Sequence, residues 1–305
     1  MQLAVLGIGL LGREIAMRLV AHGFQVLAWN RSPEKAASLA EAGIAQAQDA
    51  GTAIAASDCT LLLLSDAAAI RETLLTTACK PNLAGRMIVQ MGTIAPEESR
   101  DIAASIERAG GSYLEAPVLG SLPEAREGRL IVMAGGDESL YQRCLPVFQA
   151  LSEAPQRIGE IGQGAAVKLA MNQLIAGLTT SFAYSLGLVR DANVNVEQFM
   201  SLLRRSALYA PTFDKKLDKY LNHDYRGANF PLKHLQKDLS LFCRVAQGMS
   251  FNSTPLLALE EVFSGAIADG LADADYSAIY EALVHARGPK TSPQRPLKDD
   301  QDSDN

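Results

Sequence analysis

Apolar and polar positions in the first half of the chain fall into short apolar runs, each followed by an amphipathic segment, the pattern of strands alternating with helices. The first unit is the most complete. Leu3-Ala4-Val5-Leu6 breaks into Gly7-Ile8-Gly9-Leu10-Leu11-Gly12; an amphipathic stretch runs from Arg13 to His22; Gly23 stops it before a second apolar run, Phe24 to Trp29. Further strands are expected at Thr60 to Leu64, Arg86 to Gln90, Ser112 to Pro117 and Leu130 to Ala134, with helices over Pro33 to Ala42, Pro96 to Ala109 and Tyr141 to Leu151 and a polar segment around Asp49. Short, uniformly apolar runs of this kind are buried on both faces, as in parallel sheets.

From Gly164 the period changes. Ala165 to Arg190 lacks proline and is rich in Ala, Leu, Met and Ile; as one helix it would span ~40 Å, apolar over most of its circumference and suited to burial on several sides. Helical patterns continue over Asn195 to Ala207, Pro211 to Leu221, Lys233 to Gln247, Pro255 to Asp269 and Tyr276 to Ala286, with no comparable strand signal. The sequence therefore predicts an α/β, Rossmann-type doubly wound N-terminal domain over residues 1–161. An all-α C-terminal domain follows over residues 162–287, entered through a long inter-domain helix. The Pro-, Lys-, Asp- and Ser-rich residues 288–305 form a tail expected to be disordered.

The first glycine loop has the context that a dinucleotide site needs, a strand before it and a helix after it. Gly7 allows the tight turn, Gly9 lets backbone approach a pyrophosphate, and Gly12 lets the helix lie on the strand, with Ile8, Leu10 and Leu11 completing the loop. The helix N-terminus offers free N–H groups and a partial positive charge. At the end of the second strand, where an acid would bond the ribose hydroxyls, stand Asn30, Arg31 and Ser32, with Lys35 one turn later. A carboxylate repels a 2′-phosphate, whereas a guanidinium and a hydroxyl bond it. NADP(H) is thus favoured over NAD(H); the rival reading is that Arg31 and Lys35 simply begin a solvated helix.

Composition narrows the rest. The 305 residues suffice for two domains; 48% hydrophobic and 20% charged content is ordinary for a globular chain, and the net charge of -6 gives no basic footprint for nucleic acid. No apolar run approaches the ~20 residues that cross a bilayer. The first strand begins so early that a signal or transit peptide is not expected, and Cys59, Cys79, Cys144 and Cys243 lack C-x-x-C spacing, which suits reduced thiols of a cytoplasmic protein. The four histidines form no H-x-x-x-H pair, so no metal site is expected.

Three groups of residues can carry chemistry. Lys168 and Asn172, four apart, share one face of the long helix. They read as a proton donor to a carbonyl with its orienting amide, or as a surface lysine beside a backbone-bonding asparagine. Gly162 and Gly164 before them would let the backbone pass close to a nucleotide. Phe230-Pro231-Leu232-Lys233-His234-Leu235-Gln236-Lys237-Asp238 puts Lys237 and Asp238 at the front of a helix, within reach of a cofactor or acidic substrate, or as an exposed charge pair; His234 reads as structural. Glu115-Ala116-Pro117-Val118-Leu119-Gly120-Ser121 is a strand ending in a loop whose N–H groups and Ser121 hydroxyl could hold a carboxylate, or a plain turn.

Together with Leu63-Leu64-Ser65-Asp66, Met91-Gly92-Thr93 and Gly128 to Gly136, these segments resemble the β-hydroxyacid dehydrogenase family, most of all its glyoxylate/succinic semialdehyde reductase branch, over residues 2 to about 286. The resemblance implies that Lys168 is the acid/base and that Asn172 assists it. It implies that Thr93 and Lys237 border the nicotinamide, that Leu64 and Ser65 lie along the ribose and phosphates, and that Gly120 and Ser121 hold the substrate carboxylate, with Leu119 and Asp238 also at the substrate. It further implies NADPH-dependent reduction of a small aldehyde or 2-keto acid, and a homodimer or homotetramer with helical domains packed together. Alternatives are 3-hydroxyisobutyrate- or serine-type dehydrogenases, imine reductases and a non-enzymatic nucleotide sensor. The sequence makes two departures from the pattern: Leu119 stands where the family has serine, and Leu122-Pro123 where the branch has two lysines. Both remove polarity from the substrate loop and open it to a less polar or bulkier substrate.

Overall fold

The computed structural model describes residues 1–284, so the expected tail and the end of the last expected helix lie outside the described residues. Among the described residues nine strands form the sheet: β1 (Gln2–Leu6), β2 (Gln25–Trp29), β3 (Ala45–Gln46), β4 (Cys59–Leu62), β5 (Met87–Gln90), β6 (Ser112–Glu115), β7 (Val118–Leu119), β8 (Ile131–Gly135) and β9 (Gln156–Gly159). Their order is β3-β2-β1-β4-β5-β6-β8-β7, with β9 paired to β8. Pairings from β3 through β6 are parallel, β8 runs antiparallel to β6 and β7, and β9 is parallel to β8. Sequence order reverses between β1 and β4, so the loops leaving these strands open a crevice at the sheet's carboxyl edge, the place where doubly wound sheets bind ligands.

The unbroken apolar run of β1 follows from its central position. Leu3 and Val5 enter the core on one face, Ala4 and Leu6 the core on the other, and all four are inaccessible to solvent. Gly7 has φ +103°, and a Cβ there would strike the Leu63 carbonyl; a Cβ at Gly12 would strike the carbonyl of Gly7. Both glycines are therefore required by close backbone packing at the crevice.

The second half is built on one helix, Gln163–Asp191, which at 1.5 Å per residue is roughly 43 Å long. Lys168, Leu169, Asn172, Ala176, Thr179, Phe182, Ala183 and Leu186 form its buried stripe. Around it stand Val196–Arg204, Pro211–Asn222, Leu232–Gly248, Thr254–Ala266 and Ile279–Val284. Ala176 packs with Leu232, Leu235, Leu239, Phe263 and Ile279, and Phe182 packs with Met200, Phe213, Tyr220 and Tyr280. Beneath these cores, buried Lys216 places Nζ 2.8 and 2.6 Å from the two oxygens of buried Asp275, which also caps the turn at Ser277. No described helix is long and apolar enough to cross a membrane.

Several local expectations need correction. The helix expected over Pro33 to Ala42 stops at Ala37 and becomes a 3-10 turn, Ala40–Ala42, ended by Gly43 in the left-handed region. The polar stretch around Asp49 is the edge strand β3 followed by a helix, Ala50–Ala55, that Asp49 caps through Thr52 N–H. Helices Ala67–Leu74 and Leu122–Glu127 and the strand β9 had no expected counterpart. The helix expected to Asp269 ends as α-helix at Ala266, where a π-turn carries the chain to Gly270 at φ +91°. The last helix begins as a 3-10 turn, Tyr276–Ala278.

Candidate active site

At the crevice, Gly9 is the N-cap of helix Leu10–Ala21, without a side-chain cap and without an acid in the first turn. A Cβ on Gly9 would meet no protein atom. Protein packing therefore does not require glycine there, and the bare backbone leaves room for a phosphate to approach it. Ile8 is buried, its N–H donating to Asn30 Oδ1 at 2.9 Å, while Asn30 Nδ2 donates to the Ser32 carbonyl at 3.0 Å. Asn30 thus ties the glycine loop to the end of β2. Leu10 is exposed and Leu11 packs on the core. Past β2, Arg31 and Lys35 are exposed and Ser32 is half-buried; none of these three side chains bonds another among the described residues. These residues fit a pyridine dinucleotide, the glycine loop against its pyrophosphate and the cationic corner against its adenosine end.

Across the crevice the helical domain contributes a continuous polar chain. Lys168 Nζ donates to Asn172 Oδ1 at 2.9 Å, and Asn172 Nδ2 donates to Asp238 Oδ2 at 2.6 Å. The other Asp238 oxygen, Oδ1, is 2.9 Å from Lys237 Nζ in an ion pair. Lys237 Nζ donates to the carbonyls of Ser65 and Thr93 at 2.9 and 2.8 Å, bridging the loops that leave β4 and β5. Leu64, half-buried, lies against Gly7 in the same corner, and the Ser65 hydroxyl is turned to Asp66. Lys168, Asn172, Asp238, Lys237, Ser65 and Thr93 therefore form one contiguous cluster, although the sequence separates them by up to 173 positions.

Burial dominates the electrostatics of this cluster. Desolvation lowers the Lys168 ammonium to about 8; the Asp238 carboxylate opposes that shift and the Lys237 charge adds to it. Because Asp238 accepts from the Asn172 amide nitrogen, the amide oxygen is left facing Lys168. A lysine tuned in this way exchanges a proton near neutral pH, which an ordinary surface lysine does not. His234 stacks on Phe230, with ring centroids 6.4 Å apart, and burial lowers its pKa, in keeping with a structural role.

Two further arrangements complete the site: a sheet carboxylate on the long helix, which has no local signature, and a Ser121-x-x-Glu124 capping box, which has one. Buried Glu115, at the end of β6, accepts from the N–H groups of Gly162 and Ala165 at 2.8 and 3.1 Å and from the Ser99 hydroxyl. It fastens the start of the long helix to the sheet, and burial raises its pKa. Gly162 and Gly164 serve this contact: Gly162 has φ +97°, and a Cβ on Gly164 would sit 3.1 Å from Glu115 Oε1 and strike the Met133 carbonyl. They let helix meet sheet. The second is at the loop expected to hold a carboxylate. Leu119 is half-buried and Gly120 is exposed at φ +131°; Ser121 gives both its N–H and its hydroxyl to Glu124 Oε2, each at 2.7 Å. Lys215, from the helical domain, completes that group.

A family model described as the NAD binding domain of 6-phosphogluconate dehydrogenase matches residues 2–162. A second, described as NAD-binding of NADP-dependent 3-hydroxyisobutyrate dehydrogenase, matches residues 162–283. Glyoxylate/succinic semialdehyde reductase 1 of Arabidopsis thaliana is 30% identical over 293 residues, covering 94% of this chain and 100% of the relative. The chloroplastic reductase 2 of the same plant is 32% identical over 92% of this chain and 79% of its own length. A Mycobacterium tuberculosis 3-hydroxyisobutyrate dehydrogenase structure, 23% identical, superposes with a TM-score of 0.83 over 92% of this chain and 98% of its own, showing the same fold. Fold and site define an NAD(P)-dependent oxidoreductase acting on alcohol or carbonyl groups. The chain belongs to the β-hydroxyacid dehydrogenase family.

Competitive amine labelling read by peptide mass spectrometry against pH is expected to show Lys168 titrating near 8. Asp238→Asn removes the charge that favours the ammonium and is expected to move the midpoint lower; an unmoved midpoint would separate Asp238 from the charge on Lys168.

Proposed function

We propose that the protein reduces small aldehydes or 2-keto acids of the glyoxylate and succinic semialdehyde type to hydroxy acids with NADPH, the NADP-linked oxidation being the reverse reaction. The observation that carries this reading is the buried Lys168–Asn172–Asp238 chain facing the dinucleotide crevice. The names of the two plant reductases support the substrate class. The bound nicotinamide supplies the hydride that adds to the carbonyl carbon. Lys168, as the ammonium, donates a proton to the carbonyl oxygen and is left as the neutral amine, which takes a proton back from water before the next turnover. Asn172 holds the amine in line while Asp238 fixes the amide and moderates the loss of charge. Thr93 and Lys237 flank the nicotinamide end, Leu64 and Ser65 lie along the ribose and phosphates, and Leu119, Gly120 and Ser121 border the substrate acid group. Because the donor is the protonated lysine, the reductive rate falls as pH rises through the Lys168 pKa.

The cationic corner of Arg31, Ser32 and Lys35 supports NADP(H) over NAD(H). Leu174, Leu178 and Leu188 stand exposed in one stripe of the long helix with Ser181 and Ser185 between them; a second copy covering this face would give the expected dimer, and sedimentation that finds only monomer would exclude it. All four cysteines are free and buried, which supports a reducing compartment, the cytoplasm.

Two substitutions test the core of this reading by assaying NADPH consumption over a panel of aldehydes, keto acids and cyclic imines. Lys168→Ala is expected to lower kcat by about 10²–10⁴-fold while leaving NADPH binding, followed by fluorescence titration, nearly intact; a mutant with normal turnover removes Lys168 from the mechanism. Arg31→Ala is expected to weaken NADPH by about tenfold and NADH far less, and equal losses would show that Arg31 does not read the 2′-phosphate.

A further inference from the structure

The loop that follows β7 has no cation of its own to offer an acid. Leu122 and Pro123 are apolar, Arg126 is paired to Glu14 and Arg129 to Glu127. The cation comes instead from the other domain. Lys215, on helix Pro211–Asn222, reaches across to place Nζ 3.0 Å from Glu124 Oε1 and 3.5 Å from Ser121 Oγ. Its neighbour Lys216 points into the core and is fixed on Asp275, which anchors the helix and so the reach of Lys215. Three donors therefore converge on one carboxylate: the Ser121 N–H and hydroxyl on Oε2, and the Lys215 ammonium on Oε1. They hold the Glu124 carboxyl at about 2, well below its ordinary value, with the Ser121 bonds outweighing the cost of partial burial. Lys215 is half-exposed and Glu124 a quarter exposed, so a ligand can reach both.

We propose that Lys215 is a specificity-determining residue: with Ser121 it forms a carboxylate receptor bridging the two domains, which holds Glu124 in this structure and exchanges it for the carboxylate of the substrate. The inference rests on the assignment of the Gly120-Ser121 loop to the substrate acid group made above. It predicts opposite outcomes for the two partners of one ion pair. Removing the cation weakens the receptor, whereas removing the negative charge of Glu124 removes an internal competitor. A plain inter-domain tie would suffer equally from either change.

Steady-state kinetics with succinic semialdehyde and with butanal, an uncharged aldehyde of the same length, give the ratio of kcat/KM for acid over neutral substrate. Lys215→Met is expected to lower this ratio about tenfold, the scale of one charge-assisted hydrogen bond. Glu124→Gln, which keeps an oxygen for the Ser121 N–H, is expected to raise it twofold or more. Calorimetric titration of the NADPH-loaded protein with succinate reads the same receptor without turnover: affinity should fall about tenfold in Lys215→Met and rise in Glu124→Gln. A wild-type protein that reduces neither aldehyde but shows these succinate shifts would overturn the proposed reaction and keep the receptor. Substitutions that move the ratio or the affinity in the same direction, or leave both unmoved in proteins with native thermal melts, overturn the receptor.

Discussion

One buried carboxylate holds the two halves of this molecule in register. Glu115 ends a strand of the sheet, has no solvent exposure, and spends its oxygens on the first N–H groups of the long helix and on Ser99. An acid at a helix N-terminus is favoured by the helix dipole and satisfies donors that the helix itself cannot. Lys168 sits one turn further along, so the position of its ammonium is set by a contact made on the sheet. Without Glu115, the helix start would bury unsatisfied N–H groups against β8, a cost of roughly 1–3 kcal/mol for each group.

Polar ties dominate the rest of the domain boundary. Lys237 bonds carbonyls in the loops that leave β4 and β5, Arg244 pairs with Glu98 at 2.7 Å, and Lys215 spans to Glu124. The apolar contact between them is small, formed by Ala95, Leu169 and Leu241 with Phe242 and Val245 packed alongside. Interfaces of this composition permit relative domain motion more readily than large apolar ones. The cluster around Lys168 combines the two kinds of contact, with Leu169 in the apolar seam and Lys168 in the polar chain. Desolvation of the ammonium is therefore coupled to how closely the domains meet.

The parts of this architecture legible in the sequence are those that local pattern controls. The β1 run, the glycine loop and the proline-free long helix each follow from a few adjacent residues whose period or conformation admits little else. The spacing of Lys168 and Asn172 puts them on one face, but only the fold supplies Asp238, from a helix sixty-six positions away, to turn the amide. Strand β3, two residues long, owes its existence to pairing with β2 and has no pattern of its own. Glu115 reads in sequence as part of a loop motif because the N–H groups it satisfies lie nearly fifty residues downstream. Gly162 and Gly164 illustrate the same limit: the need for glycine was visible, but the neighbour that imposes it was not.

The adjacent lysines of helix Pro211–Asn222 have a consequence for how this chain can vary. Lys216 is an anchor and Lys215 a probe, and successive side chains of a helix point about 100° apart, so slipping the helix forward by one residue would bring Lys215 to the anchor site and leave Asp214 in the place of the probe. Pro211 at the first turn fixes where the helix starts. Insertions and deletions ahead of Pro211 are thereby absorbed in the preceding loop, whereas a single added residue between Pro211 and Lys215 would rotate a charge into the core and carry the probe away from the opposite domain. Length variation in this region should accumulate before the proline and not after it.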